Sequence, residues 1–134
     1  MTRSSILALA LVLPILSACG ESAENQLARG EQLYQICKGC HDMRENKSGP
    51  YHCWLVGRPA ATAVGYSYSQ VVKDSGLTWD EKTLDAFLKA PLSFLPGTKM
   101  GFAGYHLEGE RTALIAYLKK TTSDPQSCEG IPRP

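Results

Sequence analysis

The 134-residue chain has little that would span a membrane: its one sustained apolar run, Ile6 to Leu16, is eleven residues long, against the ~20 a membrane-crossing helix needs. It also lacks a charge excess. Fourteen basic side chains face thirteen acidic ones with no polybasic stripe, which speaks against nucleic acid as a partner. No stretch alternates apolar and polar residues as a half-buried strand does, and there is no internal repeat. Cysteine is sparse, five in all, and only Cys37 and Cys40 form a close pair. A zinc site built from two matched pairs therefore has no second pair, and a thioredoxin-like dithiol has no βαβ context.

What is present begins with export. Arg3 precedes the apolar run, and small residues follow it to Leu16-Ser17-Ala18-Cys19, which predicts a secretion signal over 1–18. Its end resembles the bacterial lipoprotein signal, in which cleavage exposes a cysteine for lipidation, here Cys19. The alternative is an ordinary signal cut near Ala18, with Cys19 incidental. Residues 19–26 read as a lipidated cysteine and a short polar tether reaching at most about 25 Å, and 27–134 as one domain. The expected location is the periplasmic side of a bacterial membrane, held there by lipid on Cys19, or the soluble periplasm without it. An oxidising compartment also suits disulfides and covalent cofactor attachment.

The stretch Cys37-Lys38-Gly39-Cys40-His41 carries the chemistry. Two cysteines two residues apart, followed at once by histidine, are the attachment signature of a c-type haem: both sulfurs bond the porphyrin and the histidine ligates iron. Around it, apolar spacings of three and four predict helices over 26–37 and 108–121. A shorter helix is expected over 67–74. Another is expected from a capping box at Thr78 and Glu81 to Lys89, where Pro91 should end it. Residues 42–66 and 92–104, rich in Gly and Pro, are expected to be irregular. Gly30 is costly inside a helix and suggests close approach by another backbone. Met100 is the one buriable sulfur of the second loop; by itself a lone Met reads as core filler rather than a ligand.

Further motifs run along the chain: Gly49-Pro50, Gly57-Arg58, Gly65-Tyr66-Ser67-Tyr68-Ser69, Gly76-Leu77-Thr78-Trp79, Pro96-Gly97-Thr98-Lys99-Met100, Phe102-Ala103-Gly104 and Ile115-Ala116-Tyr117-Leu118-Lys119. With the haem motif they resemble class I cytochrome c, the mitochondrial and c2 type, over roughly 30–120. The resemblance implies an all-α fold whose first and last helices cross. It implies one haem c bound through Cys37 and Cys40, with His41 and Met100 as the axial iron ligands. Pro50 would accept a hydrogen bond from His41. Arg58, Tyr68, Ser69, Trp79 and Thr98 would surround the haem propionates.

Several positions depart from the family pattern. Phe87 stands where many members have a tyrosine, Val72 replaces a commonly polar residue, and His52 takes the place of a buried leucine after Gly49-Pro50. His52 is expected to be a satisfied or surface histidine rather than a ligand, and His106 a surface one. Cys53 and Cys128 are left over; the resemblance places the Cys53 loop near the end of the last helix and so implies a disulfide. Lys47 and Lys99 remain of the family's lysine ring, while Ile36, Leu92 and Ser93 occupy positions that are often lysine.

The function this implies is one-electron transfer without catalysis, between membrane redox complexes of respiration or photosynthesis. Two other readings keep the haem: a dedicated electron-accepting subunit of a periplasmic dehydrogenase, and a haem peroxidase, which would require Met100 to leave the iron.

Overall fold

The computed structural model describes residues 21–133, so the expected signal and Cys19 lie outside the described residues. The described residues form five helices: α1 (Ala23–Cys37), α2 (Gln70–Asp74), α3 (Glu81–Lys89), α4 (Pro91–Phe94) and α5 (Glu108–Thr122). Among the described residues there is no strand, only an isolated antiparallel bridge between Pro59 and Thr78. No described helix is long and apolar enough to cross a membrane.

Helices α1 and α5 cross at Gly30. A β-carbon there would collide with the carbonyl of Ala113 and the Cβ of Tyr117, so the glycine that weakens α1 as an isolated helix is what lets the two backbones meet. Helix α3 is tied to α5 by Arg111, whose Nε donates to Asp85 Oδ1 at 2.7 Å while its Nη1 donates to the carbonyls of Tyr105 and His106. Tyr105 in turn donates its hydroxyl to Leu33 O on α1 at 2.9 Å. Leu84, Phe87 and Leu88 from α3 and Leu114 and Leu118 from α5 form the main core together with Tyr34, Leu55 and Trp79.

Four expectations are corrected. Helix α1 starts three residues early, because the Ser22 hydroxyl accepts from the Asn25 amide at 3.2 Å and so caps residues read as tether. The short helix covers only 70–74. The cap of α3 is Asp80, whose carboxylate accepts from the Thr83 amide at 2.7 Å; Thr78 lies in the bridge to Pro59, too far back to cap. Pro91 does not only end α3. It opens α4 at the first helical position, where its missing N–H costs nothing, so one turn of the supposedly irregular stretch is helical.

The tail folds back on the 51–54 loop. Cys53 and Cys128 form a disulfide with Cα atoms 5.5 Å apart. Arg44 donates to the carbonyls of Ser127 and Glu129, and Trp54 Nε1 donates to Ile131 O at 2.8 Å. The Arg133 guanidinium stands 4.2 Å over the Trp54 ring.

Candidate haem-binding site

After Cys37 the chain turns tightly, with the Cys40 and His41 amides both donating to Cys37 O, at 3.0 and 2.8 Å. The turn sets both thiols and the imidazole on a cavity of about 460 Å³, the size of a small-molecule site. Cys37, Cys40, His41, Pro50, Arg58, Tyr68, Ser69, Trp79, Thr98 and Met100, separated by up to 63 positions, all line it. Its apolar wall comes from Leu84, Phe87 and Leu88 of α3 and Leu114 and Leu118 of α5. Burial pushes the Cys37 thiol up to about 11, so it stays protonated at neutral pH.

His41 is oriented from two sides. Its Nδ1 lies 2.7 Å from Pro50 O, and because a carbonyl can only accept, Nδ1 carries the proton and Nε2 keeps its lone pair. Gly49 closes on the same ring so tightly that any β-carbon would overlap it. Burial lowers the His41 pKa below its ordinary value even though the Pro50 bond acts the other way, leaving a neutral ring at pH 7 that can ligate a metal.

Met100 sits half-buried on the cavity, its amide donating to Thr98 Oγ1 at 3.4 Å. The next-door Lys99 donates its ammonium to Ser67 O at 2.6 Å, which fastens the methionine loop to the segment bearing Tyr68 and Ser69. Phe87 offers no hydroxyl here and packs on Trp79, ring centroids 4.9 Å apart.

Two residues lining the cavity carry buried polar atoms without protein partners. Ser69 Oγ and Arg58 Nε are buried and unbonded, a state that costs about 1–3 kcal/mol per group unless a ligand supplies an acceptor. Haem propionates are such acceptors. An apolar chamber with two thiols, a neutral imidazole, a thioether and orphaned donors therefore fits haem c. Tyr68 is less free: its hydroxyl accepts from the Ala63 amide at 3.2 Å. Arg58 departs furthest from the expectation. Its Nη1 donates to Cys53 O at 2.8 Å and its Nη2 to Tyr51 O at 3.0 Å, so the fork mainly braces the 51–53 loop and Nε is the donor left over.

His106 is exposed and away from the cavity. His52 is the satisfied histidine of the two alternatives, though its stacking on His41 is not foreseeable from the sequence. Its ring is buried, lines the cavity and stacks on His41 with centroids 4.2 Å apart and planes 26° from parallel. Its Nδ1 lies 2.9 Å from the hydroxyl of Tyr34. The one available signal was the histidine itself, standing where the family keeps leucine.

The family described as Cytochrome c matches residues 27–122. A cytochrome c of Chlamydomonas reinhardtii is 40% identical over 112 residues, covering 81% of this chain and all of that protein. Cytochrome c2 of Blastochloris viridis is 39% identical, covering 77% of this chain and 84% of its own. Among solved structures, cytochrome cH from Methylobacterium extorquens superposes with a TM-score of 0.68 at 41% identity, over 70% of this chain and 97% of that one. On sequence, fold and the chemistry of its cavity, the chain belongs to the cytochrome c family, electron-transfer proteins rather than enzymes, which carry a covalently bound c-type haem.

Proposed function

We propose that this chain is a His/Met-ligated monohaem carrier on the periplasmic side of a bacterial membrane, tethered through lipid on Cys19, that moves electrons between respiratory or photosynthetic complexes. The observation that carries the ligand assignment is the His41–Pro50 bond of 2.7 Å, which leaves Nε2 unprotonated on a cavity shared with Met100. Cys37 and Cys40 would hold the porphyrin, and Ser69, Arg58 Nε, Trp79, Tyr68 and Thr98 the polar end. When bound, the haem supplies a one-electron ferric/ferrous couple, and a thioether ligand favours the ferrous side. Leu84, Phe87, Leu114 and Leu118 exclude water from it, which keeps the reorganisation on electron transfer small. His41 and Met100, holding the iron together, would leave no position for a substrate such as peroxide.

Ile36 and Leu92 stand 64% and 52% exposed where relatives often carry lysine, so long-range steering toward acidic partners is weak. Tethering would raise the effective concentration beside membrane complexes instead. Intact mass of the protein from membranes tests the covalent part: it should show haem, lipid and one disulfide together. The oxidised protein should display an iron–sulfur charge-transfer band that Met100→Ala abolishes. A mass without lipid would remove the tether, and a band surviving Met100→Ala would remove the methionine ligand. Electron transfer to membranes should depend only mildly on ionic strength; a steep dependence would contradict the docking mode.

A further inference from the structure

The mechanism above leaves one buried polar ring without a task. Burying an imidazole is costly, and the position of His52 would be filled more simply by an apolar side chain. Yet the molecule fixes the backbone at this residue and holds its ring between Tyr34 and His41. The His52 amide donates to Asp42 O at 3.0 Å. The carbonyls of its two neighbours, Tyr51 and Cys53, are gripped by the Arg58 fork, and Cys53 is bonded to Cys128. Tyr34 Oη, 2.9 Å from His52 Nδ1, belongs to a side chain buried between α1 and α5, its ring 5.3 Å from that of Tyr117. The helix crossing therefore reaches the cavity through Tyr34 and His52. What the ring touches there is His41, face to face at 4.2 Å.

We propose that His52 is a positioning residue for the axial ligand: held by Tyr34, its ring sets the plane of the His41 imidazole and stabilises the oxidised state of the site. The inference rests on His41 being the iron ligand. Its physical basis is that oxidation spreads positive charge onto the ligating imidazole. A neutral aromatic face stacked on that imidazole attracts the added charge, as π faces attract cations generally. A partner that orients a ligating histidine is also a recognised means of tuning the metal. Here the ring plane is limited by Gly49, by the Pro50 bond and by the His52 face. The first two repeat the family's motif; the third is this chain's departure from it.

The test uses the haem-loaded protein. Midpoint potentials are titrated at one pH, and the paramagnetic NMR spectrum of the ferric state reports the orientation of the bound imidazole. His52→Leu removes the π face and should move the equilibrium about threefold toward ferrous haem at the wild-type midpoint, a rise of ~28 mV at 59 mV per tenfold. His52→Phe, which keeps an aromatic face, should stay closer to wild type than His52→Leu. Tyr34→Phe keeps the core filled and removes only the hydroxyl, so it serves even if His52→Leu folds poorly; it should alter the spread of the ferric haem-methyl resonances. Unchanged potentials in the His52 variants with an unchanged ferric spectrum in Tyr34→Phe would overturn the proposal. Lack of an iron-bound histidine signature in the unsubstituted holoprotein would instead overturn the ligand assignment, and the two failures are told apart before any variant is compared.

Discussion

The carbonyl of Ala113 on α5 fills the space where a β-carbon on Gly30 of α1 would stand. The obstacle is backbone on both sides, so no rotamer change can relieve it. Alanine would improve α1 as an isolated helix by about 1 kcal/mol, while forcing the crossing apart costs about 1–3 kcal/mol as overpacking, with rigid backbone at the upper end. Gly30→Ala should therefore melt several degrees below the parent in a thermal scan. A melting point at or above that of the parent would contradict the packing described.

The Cys53–Cys128 bond closes a loop across 75 positions. In the chain-entropy account this is worth about 4–5 kcal/mol, an upper figure before native strain is subtracted. The paired Cys53→Ala, Cys128→Ala variant should unfold at markedly lower urea concentration, with the 123–133 tail the first segment to lose amide protection. Holoprotein unfolded without reductant should show no titratable thiol from this pair; two would refute the bond.

Arg58→Lys separates charge from shape. A lysine keeps a cation in the same place, but an ammonium lacks the fork that meets Cys53 O and Tyr51 O together. Leaving one buried carbonyl unpaired costs about 1–3 kcal/mol. The expected result is a lower urea midpoint with an unchanged slope, because the loss is local and the unfolded state is the same.

Acid sensitivity should trace in part to Asp80. The Thr83 amide, donating to its carboxylate, holds the pKa below the ordinary carboxylate value. In the acid range the unfolded chain then binds more protons than the folded one, so the cap's contribution is present above the ordinary carboxylate pKa and is lost as pH falls through the folded one. Asp80→Asn can accept the same bond without titrating. Its melting point should match the parent near pH 7 and decline less than the parent's between pH 7 and pH 3. Thr78→Ala, by contrast, should leave the profile unchanged, since Thr78 does not cap α3; a shifted profile would restore the capping box.

The long helices were legible because their information is local. Leu27, Gly30 and Tyr34, or Leu114 and Leu118, recur at helical spacing whatever the rest of the chain does. The caps Ser22 and Asp80 are not legible for the converse reason: several nearby residues could cap, and which one does depends on the path by which the chain enters the helix. Pro91 signals a stop in the sequence, but its fixed φ equally suits the first helical position that it takes in α4. In the site, the motif residues were found from their order along the chain. The division of labour within Arg58, whose fork went to Tyr51 and Cys53, could not be.

The sequence by itself determined that a histidine and two thiols stand together at the end of α1, that the chain belongs with helical haem proteins, and that Gly30 marks a close approach. These follow from residue type and short-range spacing. The Cys53–Cys128 disulfide that the family resemblance implies is formed, but only the tertiary structure decided that Ser69 Oγ and Arg58 Nε are left unpaired and that His52 lies against His41 with its Nδ1 on the hydroxyl of Tyr34. Such pairings join residues far apart in the chain, and they are set by how α1, α5 and the 51–54 loop pack, which no local period encodes.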